Sequence, residues 1–448
     1  MNKQIQTISV IGLGYIGLPT AAMFASRKIK VVGVDVNQHA VDTINAGKIH
    51  IVEPELDMLV HASVKEGYLR ATTKPEPADA FLIAVPTPFK NDYEPDLAYV
   101  ESAAKSIAPV LQKGNIVILE STSPVGTTEK MMHWLAEARP DLKFPIDGQT
   151  DIDIHISYCP ERVLPGRVVH ELVDNDRIIG GITPECSQRA AQVYQIFVQG
   201  QLLFTNVRTA EMSKLAENAF RDVNIAFANE LSLIADKLDI NVWELIKLAN
   251  RHPRVNILQP GAGVGGHCIA VDPWFIVHKT PEQAKLIRAA REVNDHKPKW
   301  VLGKIHEAVA GLVAQGKKTS AITIAFLGLS FKPNIDDLRE SPALHIVEEF
   351  VLGLSIKPPV EDLRESSALH IVQEFASTMD VQLKLVEPNI AALPKSLNAH
   401  ALSSIFEQGV LNADIVVLLV NHQEFKGIKE KLGKHVILID AVGSSYNQ

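Results

Sequence analysis

Cysteine is scarce in this chain: three residues in 448, at 159, 186 and 268, make neither a disulfide framework nor a paired-thiol metal site. An odd number of thiols suits a reducing compartment, so a cytoplasmic location is expected and no bound metal is. Long apolar runs are missing as well. The first residues, Met1-Asn2-Lys3-Gln4, lead straight into Ile8-Ser9-Val10-Ile11-Gly12, a strand and turn rather than a signal-peptide core. Nowhere do 18 apolar residues follow one another, so no membrane span is expected. Blocks of like charge are also absent: 44 basic and 52 acidic residues are interspersed to a net −8. That distribution argues against nucleic acid or an anionic membrane as the main partner and favours a small, locally captured ligand.

What is present is ordinary globular composition, 46% hydrophobic and 21% charged, which excludes disorder as the rule, in a chain long enough for about two or three domains. β-branched runs at Ile8 to Ile11, Val31 to Asp35, Phe81 to Val85, Ile116 to Leu119, Ile154 to Tyr158 and Leu202 to Thr205 alternate with helical stretches. This alternation predicts a parallel, doubly wound α/β domain over 1–205. Helical patterns at Thr209 to Leu238, Val242 to Ala249 and Pro281 to Val313 predict a helical middle domain over 206–316. Apolar runs return at Ile322 to Leu329, Leu383 to Val386, Ile415 to Val420 and Val436 to Asp440, giving a second α/β domain over 317–448. Within it, residues 326–350 and 351–375 are near-copies, with Asp337-Leu338-Arg339-Glu340-Ser341 recurring at Asp362 to Ser366. Two copies are too few for a solenoid, so this is a tandem duplication of a strand, a loop and a helix start.

Gly12-Leu13-Gly14-Tyr15-Ile16-Gly17 follows the first strand and opens a helix, and Asp35 ends the second strand. The glycines allow a tight turn and close approach of a pyrophosphate to the helix start, and the carboxylate can accept from a ribose hydroxyl. Asp35 would repel a 2′-phosphate, so NAD is expected rather than NADP. Thr87, Ser121 and Thr122 follow two further strands, where hydroxyls either reach a cofactor or simply turn the chain.

Lys214, Asn218, Arg221 and Asn229 share one stripe of the long helical segment, interrupted by Ile225. Such a stripe faces solvent or lines a site; a cation followed one turn later by an amide can hold a developing oxyanion. Glu161, in Tyr158-Cys159-Pro160-Glu161-Arg162-Val163, is either a general base or a capping carboxylate. Cys268 closes the loop Pro260-Gly261-Ala262-Gly263-Val264-Gly265-Gly266-His267, with Asp272 four positions on. A thiol at the end of so open a loop stands where a nucleophile would stand, although a lone cysteine also serves as a small core residue.

The segments Asn250 to Asn256, Gly265 to Phe275 and Phe331 to Pro342, with the glycine turn, make the chain resemble the UDP-glucose/GDP-mannose dehydrogenase family over nearly its whole length. The likeness is greatest to members that oxidise UDP-N-acetyl-D-mannosamine. It implies two Rossmann-like doubly wound domains joined by a helical middle, a homodimer or larger oligomer, and a UDP-sugar substrate. It also implies a four-electron oxidation of a C6 alcohol to a carboxylate with two NAD per sugar, for surface polysaccharide. By matching positions, Cys268 is the nucleophile that forms a thiohemiacetal and then a thioester. Lys214 and Asn218 stabilise oxyanions, Asp272 assists proton transfer, and Glu161 is associated with thioester hydrolysis. The same matching places Gly12, Gly14, Tyr15, Ile16, Gly17, Asp35, Thr87, Ser121, Thr122 and Arg339 at the cofactor. It places Arg162, Val163, Lys214, Asn218, Arg221, Arg251, Arg254, Gly263 and Lys332 at the substrate. The duplication departs from the family pattern, which has one such segment. The first copy keeps that pattern better, because the second has Pro359 and Ser367 where the first has Asn334 and Pro342.

Overall fold

The computed structural model describes residues 4–51, 53–90, 93–149, 151–163, 166–266, 268–334, 338–339, 341–352, 381–397, 400 and 402–444. His267 and almost all of the second repeat copy, including Pro359 and Ser367, lie outside the described residues. The chain forms two compact units, residues 1–217 with 278–281, and residues 218–277 with 282–448.

The first unit is built on strands β1 (Thr7–Ile11), β2 (Lys30–Val34), β3 (Leu69–Thr72), β4 (Ala80–Ile83), β5 (Ile116–Leu119), β6 (His155–Tyr158), β7 (Arg177–Gly181) and β8 (Leu202–Asn206). Their order is β3-β2-β1-β4-β5-β6-β7-β8. Helices α1 (Gly17–Ser26), α2 (Gln38–Asn45), α3 (Leu56–Lys65), α4 (Ala98–Ile107), α5 (Thr127–Ala138), α6 (Val168–Asp174) and α7 (Pro184–Tyr194) alternate with them. Covered on both faces, the central strands β4 and β5 are buried at every residue, which is why they read as continuous apolar runs. One face packs on Leu18, Phe24 and Tyr194, the other on Ile107, Met131 and Leu135.

Two strands of this sheet escape the expectation, and one of them breaks it. β7 runs antiparallel to β6, so the sheet is not parallel throughout. Its first residue is a charged arginine after Asn175-Asp176, which disguises the strand as a turn. β3 alternates buried Leu69 and Ala71 with exposed Arg70, a half-buried strand with a weak apolar signal.

The second unit begins within helix α8 (Val207–Lys237), which continues the first unit's chain, and adds α9 (Val242–Ala249), α10 (Asp272–Lys279) and α11 (Lys285–Ala314). The single helix expected over Pro281 to Val313 starts four residues later, and α10 was not expected. Arg291 of α11 is buried and donates to Asp222 of α8 at 2.7 Å, while Asn294 donates to the same carboxylate at 2.8 Å. A parallel sheet follows, ordered β11-β10-β9-β12-β13 from β9 (Thr323–Leu327), β10 (Gln382–Val386), β11 (Leu402–Ser403), β12 (Ile415–Leu418) and β13 (Ile437–Asp440). Its central strand β9 leads directly into the first repeat copy, whose helix α12 spans Pro342–Leu352. No helix among the described residues is long and apolar enough to cross a membrane.

Arg177 carries an unusual load for a strand residue. Only 4% exposed, it donates to Glu161 at 2.7 Å, lies 3.4 Å from Glu120, and stacks over the Tyr194 ring at 4.5 Å. Two carboxylates against one guanidinium, away from water, cannot both ionise cheaply. Burial pushes the Glu120 carboxyl up to about 7 against the pull of Arg177, and the Tyr194 hydroxyl donates to it at 2.6 Å. Among the described residues its other oxygen has no partner, as suits a carboxylic acid. Because the folded-state value is raised above 4.5, this group's contribution to stability is fully present below about pH 4.5 and is lost as pH rises through about 7. Replacing Glu120 with Gln removes that titration. Denaturant unfolding between pH 5 and 8 is expected to show wild type losing on the order of 3 kcal/mol relative to Glu120→Gln. Parallel stability curves would refute the assignment.

Candidate active site

The glycine turn is built as its spacing suggests. Gly12 has φ 91°, and a Cβ there would sit 2.5 Å from the Ala84 carbonyl oxygen. A Cβ on Gly17 would sit 1.8 Å from the Gly12 oxygen, so both positions exclude a side chain. Gly14 faces open space, where backbone can meet a ligand, and α1 starts with no side-chain cap on its first N–H groups. Asp35 fastens the turn, accepting from Leu13 N and Asn37 N at 2.9 Å each. Its remaining lone pairs stay open at the end of β2. Tyr15 packs half-buried on the core, and Ile16 is the cap residue of α1. These residues fit the pyrophosphate and ribose of NAD.

The loops after β4 and β5 are stitched together by their hydroxyls. Thr87 donates to the Thr122 carbonyl at 2.5 Å and Ser121 to the Val85 carbonyl at 2.7 Å. Their protons therefore shape the strand ends, which leaves oxygen lone pairs and backbone groups for any ligand.

Glu161 is 7% exposed; one oxygen takes the Arg177 hydrogen bond and the other accepts from Arg162 N at 2.6 Å. The Arg162 guanidinium is tied to Glu217 at 2.7 Å and to the Asp176 carbonyl at 3.1 Å. Val163 packs against the core. The carboxylate is thus held by a guanidinium that the sequence reading did not single out. The signal for it was an arginine at the head of the short run from residue 177 to 181.

On α8 the expected stripe divides. Lys214 is half-buried, Asn218 and Asn229 are buried, and Arg221 is exposed. Arg251 and Arg254 are exposed too. In the second unit Asn218 donates to Asp272 at 2.5 Å, both being almost wholly buried. Only one of the two Asn218 amide hydrogens is used in that bond. Asn229 bridges Asn294 and the backbone N–H of Gly261, anchoring the glycine-rich loop to α8. Cys268, at the end of that loop, is exposed, while Cys159 and Cys186 are buried. Burial pushes the Cys159 thiol up to about 12, so it stays protonated at neutral pH.

The loop also meets the first repeat copy. A Cβ on Gly266 would lie 3.1 Å from the Phe331 ring, and one on Gly263 would lie 2.8 Å from Pro342. The first copy therefore packs on the glycine-rich loop through Phe331 and Pro342; the second has Ile356 and Ser367 at those places in its sequence. Lys332, half-buried, and Arg339, exposed, belong to this first copy.

Sequence profiles of the UDP-glucose/GDP-mannose dehydrogenase family match three stretches: the NAD binding domain over residues 6–198, the central domain over 208–296, and the UDP binding domain over 325–351 and 350–444. The chain is 59% identical over 438 residues to UDP-N-acetyl-D-mannosamine dehydrogenase of Escherichia coli (strain K12), covering 98% of each. It is 57% identical to NDP-N-acetyl-D-galactosaminuronic acid dehydrogenase of Ralstonia nicotianae, covering 99% of this chain and 97% of that one. Among solved structures, UDP-D-ManNAc dehydrogenase of Pyrococcus horikoshii superposes with TM-score 0.82 at 38% identity, covering 99% of this chain and 96% of that one. With its family NAD binding domain, its two Rossmann-type sheets and full-length likeness to these enzymes, this chain belongs to the UDP-glucose/GDP-mannose dehydrogenase family.

Proposed function

We propose that this enzyme oxidises the C6 alcohol of UDP-N-acetyl-D-mannosamine to the uronate in two steps, in the cytoplasm, for surface polysaccharide. The observation that carries the chemistry is Cys268: an exposed thiol at the end of a loop packed against the first repeat copy, with Asp272, buried and hydrogen-bonded to Asn218, four residues on in the same unit. The substrate rests on the 59% identity to the Escherichia coli enzyme, and the galacto epimer is the second reading, favoured by the Ralstonia relative. The domains divide the work at 1–205 for the cofactor, 206–316 for the thiol and assembly, and 317–448 for the nucleotide sugar.

Bound NAD supplies the hydride acceptor for each oxidation. Gly12, Gly14 and Gly17 admit its pyrophosphate, and Asp35 accepts from its ribose. The Cys268 thiolate adds to the C6 aldehyde, forming a C–S bond while the carbonyl oxygen becomes an oxyanion. Lys214 and the unused amide hydrogen of Asn218 stabilise that charge. Asp272 takes the C6 hydroxyl proton as the first hydride leaves, returns it to the oxyanion to give the thiohemiacetal, and takes it back as the second hydride leaves to give the thioester. Water, activated by Glu161, adds to the thioester and expels the thiolate, leaving the carboxylate. Arg162, Val163, Arg221, Arg251, Arg254, Gly263 and Lys332 are assigned to the sugar nucleotide, and Arg339, Thr87, Ser121 and Thr122 to the cofactor.

The chain is proposed to act as a homodimer or larger oligomer. Phe220, Phe227 and Ile234 recur every seven residues on α8 and are all exposed, with Leu238 continuing the stripe. A single soluble chain rarely leaves such a seam uncovered, and a second copy presents the same stripe in return.

Three outcomes test this reading. Cys268→Ser is expected to lose nearly all uronate formation, because an alkoxide is much harder to form at neutral pH than a thiolate; wild-type rates would remove covalent catalysis. Asp35→Ala removes an acceptor worth on the order of 1.5–3 kcal/mol, so KM for NAD should rise roughly 10- to 100-fold and discrimination against NADP should fall. An unchanged KM would show the fingerprint to be misassigned. Light scattering of Phe227→Glu is expected to give the monomer mass where wild type gives a multiple of it, and a wild-type monomer would refute the assembly.

A further inference from the structure

Each unit contains a turn of the same design. In the first, Gly12 (φ 91°) donates to the Val34 carbonyl at 2.8 Å, and Asp35 accepts from Leu13 N and Asn37 N. In the second, Gly328 (φ 88°) donates to the Val386 carbonyl at 2.9 Å, and Glu387 accepts from Leu329 N at 2.7 Å and Asn389 N at 3.0 Å. The strands correspond as well, β2-β1-β4 in the first sheet and β10-β9-β12 in the second.

The two turns part at what faces the acid. Asp35 is half-buried, whereas Glu387 is 0% exposed. His422, also 0% exposed and reaching in from beyond β12, donates from Nε2 to Glu387 at 3.0 Å. The acceptor that remains open in the first unit is closed in the second. Burial alone would raise the Glu387 carboxyl, but the His422 hydrogen bond and the Leu329 and Asn389 N–H groups hold it below its usual value.

The other ring nitrogen of His422 points to the first repeat copy. Nδ1 lies 2.9 Å from the backbone N–H of Asn334 and 3.0 Å from the Asn389 amide. Asn334 sits at φ 61°, a left-handed conformation that asparagine tolerates, and its Oδ1 accepts from Gln423 N at 3.1 Å. Ser330, whose N–H donates to Glu387 at 3.1 Å, turns its hydroxyl onto the Lys332 carbonyl at 2.8 Å. Residues 330 to 334 are thereby fastened at both ends around Lys332. The second copy has Pro359 in place of Asn334, and proline has neither an N–H to give nor access to positive φ.

We propose that His422 is a positioning residue: closing the Glu387 acceptor, it fixes the 330–334 segment so that Lys332 meets the UDP-sugar, and only the first repeat copy can engage it. The proposal rests on the assignment of Lys332 to the substrate.

Steady-state kinetics of the full-length enzyme with UDP-N-acetyl-D-mannosamine and NAD test it. His422→Phe keeps a ring but no ring nitrogen, and should raise the sugar KM by about tenfold or more, a loss the size of one hydrogen-bonded contact, with the NAD KM unchanged. His422→Gln, which retains a donor and an acceptor, should recover most of it. Lys332→Ala should raise the sugar KM, and adding His422→Phe to it should raise it little further, because both act through one contact. Asn334→Gly should stay near wild type, whereas Asn334→Pro should match His422→Phe. The proposal is overturned by additive effects in the double variant, by equal rises in both KM values, or by wild-type kinetics in Asn334→Pro. An unchanged sugar KM in Lys332→Ala would instead overturn the assignment of Lys332 beneath it. Should His422→Phe fail to fold, the comparison of Asn334→Gly with Asn334→Pro decides alone.

Discussion

A carboxylate at the end of a strand, accepting the backbone N–H that follows a left-handed glycine, organises both units of this protein. At Asp35 and at Glu387 the same two-point grip holds a glycine turn against the neighbouring strand. The strands supply the frame, because parallel strands covered on both faces end together and present their connecting loops on one edge. The grip then decides what the edge can do. Around Asp35 it leaves acceptor capacity and an uncapped helix start, which suits a dinucleotide. Around Glu387 the capacity is consumed by His422, and the turn becomes a support for the loop that carries Lys332.

Buried charge is the second constraint. Arg177 binds Glu161 and stands near Glu120 in a region without solvent, so the pair of carboxylates holds one proton more readily than free carboxylates would. Glu120, with an oxygen unpartnered among the described residues and burial that raises its carboxyl, is the place for it. That leaves Glu161 oriented by a full positive charge. In the second unit, the Arg291–Asp222 pair and the Asn229 bridge to Gly261 play a comparable part, holding α8, α11 and the glycine-rich loop in one arrangement.

Much of this was legible in the chain. Apolar runs located ten of the strands to within a few residues because the central strands of both sheets are covered on both faces, and the spacing of Gly12, Gly14, Gly17 and Asp35 described a turn that steric exclusion alone can dictate. β3 and β7 were missed because Arg70 and Arg177 weaken the apolar signal, and β11 because it is two residues long; the direction of β7 has no local signature at all. The helical stripe was half legible: periodicity grouped Asn218, Arg221 and Asn229, but only burial separates the two asparagines from exposed Arg221. His422 could not be found by pattern, since its partners Glu387 and Asn334 lie 35 and 88 residues away. The preference for the first repeat copy, by contrast, was readable at Asn334 and Pro342, and Gly263 against Pro342 gives it a steric basis.

The central claim is that one thiol allows one enzyme to oxidise the same carbon twice. Counting NADH released against a limiting amount of UDP-N-acetyl-D-mannosamine tests it most directly. Two NADH per sugar, with the uronate as product, is the expected result. One NADH per sugar with release of an aldehyde would contradict the account.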